Sequence, residues 1–217
     1  MSKNWSWLGV MFGIALMIGC NGNATDGLDM AELPPDLSPG PYPTGPYGGD
    51  VGKVIDNLTF QGYFSPTKTS GLASAEPLGE VTLDKLRLAP NAKFLMIHLA
   101  AYWCGPCLSA AKALAAKTST FAPKGGLLMG ILAEGTTPAD VATKNQLDLF
   151  ISKAGAQFTY VLDGVAPQTD AETYFSNERD TFIMIDLKTM KIVKVVDNFS
   201  GGGGFAEAIP AFEALLQ

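Results

Sequence analysis

Two apolar runs dominate the chain, Phe94 to Leu99, whose one polar member is His98, and Leu127 to Ala133. Runs apolar on both faces and of this length predict buried strands at the centre of a sheet. Between them, Leu108 to Ala116 is rich in alanine, leucine and lysine, with no β-branched residue before Thr118, and predicts a helix. Upstream, Val54–Phe60 and Val81–Leu83 read as short strands, with Asp84 capping a helical turn. Downstream, Thr137 and Pro138 read as the cap and first residue of a helix running to about Ala154. Phe158–Leu162 predicts a further strand and Ala171–Phe175 a helical turn. Phe182–Leu187 and Lys191–Val196 predict a hairpin around Lys188-Thr189-Met190. Gly201–Gly204 reads as a joint before a closing helix with apolar residues at Phe205, Ile209, Phe212 and Leu216. The order β-α-β-α-β, hairpin, helix is that of an α/β domain with a central mixed sheet flanked by helices.

The first fifty residues break this pattern. Met1–Gly19 carries Lys3 and then an uncharged run from Trp5 to Ile18. That is short for a membrane span, which needs ~20 apolar residues, and fits the apolar region of a secretory signal peptide. An uncleaved N-terminal anchor is the alternative. Residues 20–50, with Pro34-Pro35, Pro39-Gly40-Pro41, Pro43, Gly45-Pro46 and Gly48-Gly49, lack periodicity and read as a semi-extended solvated tether. The domain is then expected over residues 51–217.

Composition narrows the function. The net charge is −6, so no basic footprint supports nucleic-acid binding. With 47% hydrophobic residues, apolar burial can hold the core without structural disulfides. The three cysteines are Cys20, Cys104 and Cys107. The last two frame Gly105 and Pro106 at a strand-to-helix junction, close enough to join in a small ring. Unpaired N–H groups and the dipole at a helix start favour a thiolate at Cys104. Pro106 falls in the first turn, where its missing N–H costs nothing. One sulfur can attack and the other can release the product. The competing reading, a metal site, lacks donors. A zinc site takes four ligands in structural cases and three in catalytic ones, and beyond the cysteine pair the chain offers only His98. No metal is expected.

Trp103-Cys104-Gly105-Pro106-Cys107 after an apolar strand resembles the active site of the thioredoxin superfamily. The flanking sequence is most similar to the membrane-anchored TlpA-like and ResA-like thiol-disulfide oxidoreductases, over roughly Val51 to Gln217. The resemblance implies a thioredoxin-like fold, with Cys104 as nucleophile and Cys107 as the resolving cysteine. Their reversible disulfide would be the only redox group, and protein thiols and disulfides the substrates. Trp103 would pack beside the sulfurs. His98 stands where thioredoxins hold a buried acid, and could serve as the proton acceptor for Cys107, since histidine titrates near ~6.5. A neutral core histidine is the alternative. Family members place a cis-proline before the fourth strand; here Asp180 or Thr181 occupies that place. A carboxylate facing Cys104 there would raise its thiolate pKa. Gly-Pro between the cysteines resembles thioredoxin itself and implies a reductant, recharged by a membrane thiol-transfer protein.

Met17-Ile18-Gly19-Cys20 resembles a bacterial lipobox, which implies lipidation of Cys20 and a domain held on the periplasmic side of the cell envelope. By the same resemblance, Asn21 rather than Asp implies the outer membrane. Two rivals remain. Arg179-Asp180-Thr181-Phe182 resembles peroxiredoxin sequence near its catalytic arginine. Those enzymes, however, need Pro and Thr or Ser where this chain has Ile97 and Ala101. The other rival is a non-catalytic binding lipoprotein of the same fold.

Overall fold

The computed structural model describes residues 40–64, 77–164, 179–198 and 203–217. The segment expected to be a signal peptide and lipobox, with Cys20, the helical turn expected at 171–175, and residues 201–202 lie outside these.

Seven strands form one sheet in the order β2-β1-β5-β4-β3-β6-β7. In chain order they are β1 Thr59–Tyr63, β2 Gly79–Thr82, β3 Phe94–Ala101, β4 Gly126–Glu134, β5 Thr159–Leu162, β6 Thr181–Asp186 and β7 Lys191–Val196. Four helices accompany them among the described residues: α1 Leu83–Arg87, α2 Gly105–Phe121, α3 Lys144–Ala154 and α4 Phe205–Leu215. The central β3, β4 and β5 are parallel. β6 runs antiparallel to β3 and turns back into β7, as the hairpin pattern predicts. No helix among the described residues is long and apolar enough to cross a membrane.

Alternation along the strands divides the core. Leu95, Ile97 and Leu99 of β3 join Val54, Ile55, Leu83 and Leu86 on one face. Met96 and Ala100 join Leu114, Phe150 and Phe212 of the helices on the other. His98 shares the parity of Met96 and Ala100, so it points to the helix-covered face beneath α2.

Several expectations are corrected. The first strand begins at Thr59 rather than Val54; Val54 makes only isolated bridges to Tyr47 and Lys191. Leu83 opens α1 instead of closing a strand, and the cap is Thr82, whose hydroxyl accepts the Lys85 N–H at 3.2 Å, not Asp84. Thr137 and Pro138 start no helix. Asp140 accepts from the Thr137 N–H at 3.1 Å and folds that stretch into a turn, while α3 begins at Lys144 behind a reciprocal capping box of Thr143 and Gln146. The box satisfies backbone donors that a lone Thr–Pro start leaves open.

The stretch 40–50, expected to be solvated tether, packs on the domain. The Tyr42 hydroxyl donates to the Ile55 carbonyl at 2.9 Å, Arg87 donates to the Gly40 carbonyl, and the Val54 N–H donates to the Pro46 carbonyl. Burial is the main cause that pushes the Tyr42 phenol above its ordinary range, with Asp84 and Asp56 adding to it.

Candidate active site

The strand β3 ends and α2 begins within a few residues, and that junction builds the site. Cys104 is the N-cap of α2, with extended backbone, and its Sγ accepts the Cys107 N–H at 3.1 Å. Pro106 sits in the first turn, where it removes a donor that has no intrahelical partner. Cys104 and Cys107 are joined by a disulfide, their Cα atoms 5.3 Å apart. Cys107 is fully buried, whereas Cys104 keeps 3% of its surface. Gly105 and Pro106 are exposed at the helix mouth.

Beneath the sulfurs lies a buried polar pair. His98 Nε2 and Asp180 Oδ1 are 3.0 Å apart, and both residues are fully buried. The His98 ring stacks on Phe182, its register partner on β6, with centroids 4.7 Å apart. The other carboxylate oxygen of Asp180 accepts from Asn198 Nδ2 at 3.0 Å. A ring nitrogen of His98, a carboxylate oxygen of Asp180 and the Cys107 sulfur all lie within 4.8 Å of one another. Asp180 is therefore grouped with Cys107 and the histidine, rather than set to act on Cys104 alone.

Asp180 occupies the place considered for a cis-proline. It has φ +62, and no cis peptide occurs among the described residues. An aspartate tolerates the left-handed region better than most side chains. Its N–H donates to the Leu99 carbonyl at 2.9 Å, which ties the turn to β3. Thr181, buried, opens β6 opposite Leu99.

A second network flanks the site. Trp103, 41% exposed, donates its indole N–H to Glu134 Oε2 at 2.8 Å. Glu134 Oε1 accepts from the Ala139 N–H at 3.0 Å and pairs with Arg179 Nη2 at 2.9 Å. Burial opposes the charge of Glu134, but the Ala139 N–H, the Arg179 guanidinium and the Trp103 indole outweigh it and hold the carboxyl below its ordinary value. Arg179 is buried in this pair rather than displayed on the surface.

Sequence reasoning finds the cysteines, Trp103, His98 and Asp180, but misses Glu134 and Asn198. Glu134 carries a readable signal: it is the charged residue that closes the apolar run of a parallel strand, at the end where α/β sheets gather their sites. Asn198 carries none, because its role depends on how β7 leaves the sheet.

No protein-family model matches the chain, and neither does any curated protein. Solved structures share its fold. A Chlorobium tepidum protein assigned as the thiol:disulfide interchange protein DsbE superposes with a TM-score of 0.53 at 17% identity, covering 77% of this chain and 97% of that one. A secreted thiol-disulfide isomerase of Corynebacterium glutamicum gives 0.53 at 15% identity, over 76% and 85%. The reduced 2-Cys peroxiredoxin of Plasmodium vivax gives 0.52 at 17% identity, over 76% and 81%.

Proposed function

This chain has a thioredoxin-like fold, and we propose that it is an extracytoplasmic, lipid-anchored thiol-disulfide oxidoreductase that reduces protein disulfides through its Cys104-Gly105-Pro106-Cys107 site. The observation that carries this reading is the Cys104–Cys107 disulfide at the start of α2, with the more exposed sulfur at the cap and the buried one over His98 and Asp180. In the reduced protein the Cys104 thiolate attacks one sulfur of a substrate disulfide and forms a mixed disulfide with it, while the other substrate sulfur leaves as a thiolate and takes a proton from solvent. Cys107 gives its proton to the His98–Asp180 pair and attacks Cys104 Sγ. The second substrate thiolate departs, and the intramolecular disulfide is restored.

The lipobox-like Met17-Ile18-Gly19-Cys20 supports lipidation of Cys20 after removal of residues 1–19, with residues 20–50 leading to the domain. That proteins of similar fold include a secreted thiol-disulfide isomerase and a thiol:disulfide interchange protein supports an extracytoplasmic site of action. On this reading the lipid bilayer of the envelope, on the periplasmic side of the outer membrane, holds the N-terminus. A membrane thiol-transfer protein regenerates the dithiol.

The peroxidase alternative draws on the peroxiredoxin-like fold but is opposed by Arg179, whose guanidinium is engaged with Glu134. Insulin reduction with dithiothreitol tests the proposal, and hydrogen peroxide consumption tests the alternative. Catalysed insulin precipitation that is abolished by Cys104→Ser supports the oxidoreductase. Peroxide turnover without insulin reduction refutes it, and the absence of both leaves a binding lipoprotein.

A further inference from the structure

The sequence offers too few metal donors because it does not reveal where Asp180 lies. Folding brings a carboxylate and an imidazole within 4.8 Å of the Cys107 sulfur, to which Cys104 Sγ is bonded, so that the reduced site offers two soft sulfurs, one nitrogen and one oxygen. We propose that the reduced form binds one thiophilic divalent cation of the zinc class through Cys104 Sγ, Cys107 Sγ, a ring nitrogen of His98 and a carboxylate oxygen of Asp180. The inference rests on the Cys104–Cys107 bond being reducible, as the oxidoreductase reading requires.

The geometry is close to what such a cation needs. In a tetrahedral zinc site, metal–ligand distances of ~2.0–2.3 Å place neighbouring donors about 3.3–3.8 Å apart. His98 Nε2 and Asp180 Oδ1 are already at 3.0 Å, and the Cys107 sulfur lies within 4.8 Å of both donor groups. Cleaving the disulfide lets the sulfurs separate toward that spacing. Asp180 is held from behind, since Asn198 engages its Oδ2 and leaves Oδ1 toward the histidine. His98 Nδ1 is buried with no hydrogen-bond partner, so no contact there locks the ring tautomer. The ring proton can move to Nδ1 when a cation takes the place of the proton shared with Asp180.

Charge and chemistry agree. Soft thiolates with one imidazole and tetrahedral geometry select zinc over magnesium or calcium. Binding releases the two thiol protons to solvent, so affinity rises with pH. The oxidised form has no thiolate to offer and binds nothing. The cation would thus mark the reduced state, and it would mask both sulfurs from disulfide exchange until removed.

The test uses the full chain carrying Cys20→Ala, reduced with dithiothreitol and desalted without oxygen. Thiols are counted, and cobalt(II) is then titrated with visible absorption as the readout. The expected result is two thiols, one cobalt per chain, thiolate-to-cobalt charge transfer and the strong visible bands of a tetrahedral centre, all displaced by one zinc. The oxidised protein shows none of these. His98→Gln and Asp180→Asn each weaken binding about tenfold or more with the thiol count unchanged, and a cooperative urea transition followed by circular dichroism checks that each variant is folded.

Two thiols without a cobalt spectrum overturn the metal site alone. Affinity and spectrum unchanged in both variants also overturn it, since the cation would then sit on the cysteines only. Thiols that never appear on reduction overturn both this site and the oxidoreductase reading.

Discussion

His98 and Asp180 meet at 3.0 Å across the β3–β6 boundary, directly beneath the buried sulfur of Cys107. On the proposed mechanism this fully buried ring and carboxylate, beside the Cys107 sulfur, are the proton acceptor for the step in which Cys107 becomes nucleophilic. Asp180→Asn keeps the shape but presents an amide where Asn198 already donates an amide. We expect the Cys104 attack to proceed and the Cys107 attack to slow by about a hundredfold, the usual size of a general-base contribution. Quenched-flow trapping of the mixed disulfide measures this: the intermediate accumulates in Asp180→Asn and His98→Gln. An unchanged lifetime in both removes the pair from the mechanism.

Glu134 makes a separate prediction about acid. Burial works against its charge, yet the Ala139 N–H, Arg179 and Trp103 hold its carboxyl below the ordinary 4.5. A folded-state value below the unfolded one stabilises the protein above pH 4.5, and the contribution is lost as the pH falls through the folded value. Urea midpoints of wild type and Glu134→Gln should therefore differ by a constant amount at neutral pH and converge in acid. Arg179→Met, which leaves the buried carboxylate without its cation, should cost about 3–5 kcal/mol at neutral pH. A gap between wild type and Glu134→Gln that persists undiminished in acid would show that this carboxylate is not the group responsible.

The elements legible in the sequence are those whose signal is local. The β3 run, the Gly-Pro turn into α2, the β4 run and the β6–β7 hairpin all carry period and turn chemistry within their own residues. The stretch from Gly135 to Thr143 misleads because a Thr–Pro pair mimics a helix start. The winning interactions, Asp140 with Thr137 and Thr143 with Gln146, are side-chain to backbone bonds that the apolar pattern does not record. The site divides in the same way. Cys104, Cys107 and Trp103 are contiguous, whereas the pairings His98–Asp180 and Glu134–Arg179 join residues far apart in the chain.

That competition at the start of α3 can be measured. Thr143→Ala removes the cap and should cost about 1 kcal/mol. Pro138→Ala lies outside the helix and should change stability by no more than about 0.5 kcal/mol. Reversal of this order in urea unfolding would place the helix start at Thr137 after all.

Tyr160 lies fully buried across the glycine of the neighbouring strand, and its hydroxyl has no hydrogen-bond partner. Gly130 stands between Tyr160 and His98 in the cross-strand register, and a Cβ built on it would overlap the Tyr160 ring. The glycine is thus required by the close approach of an aromatic ring. Gly130→Ala should be destabilised by about 1–3 kcal/mol through overpacking. Burial alone drives the Tyr160 phenol far above its ordinary range, so the group stays neutral. An unpaired buried hydroxyl costs about 1–3 kcal/mol of desolvation, which Tyr160→Phe relieves without opening a cavity. That variant should be at least as stable as wild type in urea unfolding, at the same pH and with the disulfide intact. A loss of more than about 1 kcal/mol would mean that the hydroxyl makes a hydrogen bond in the folded protein.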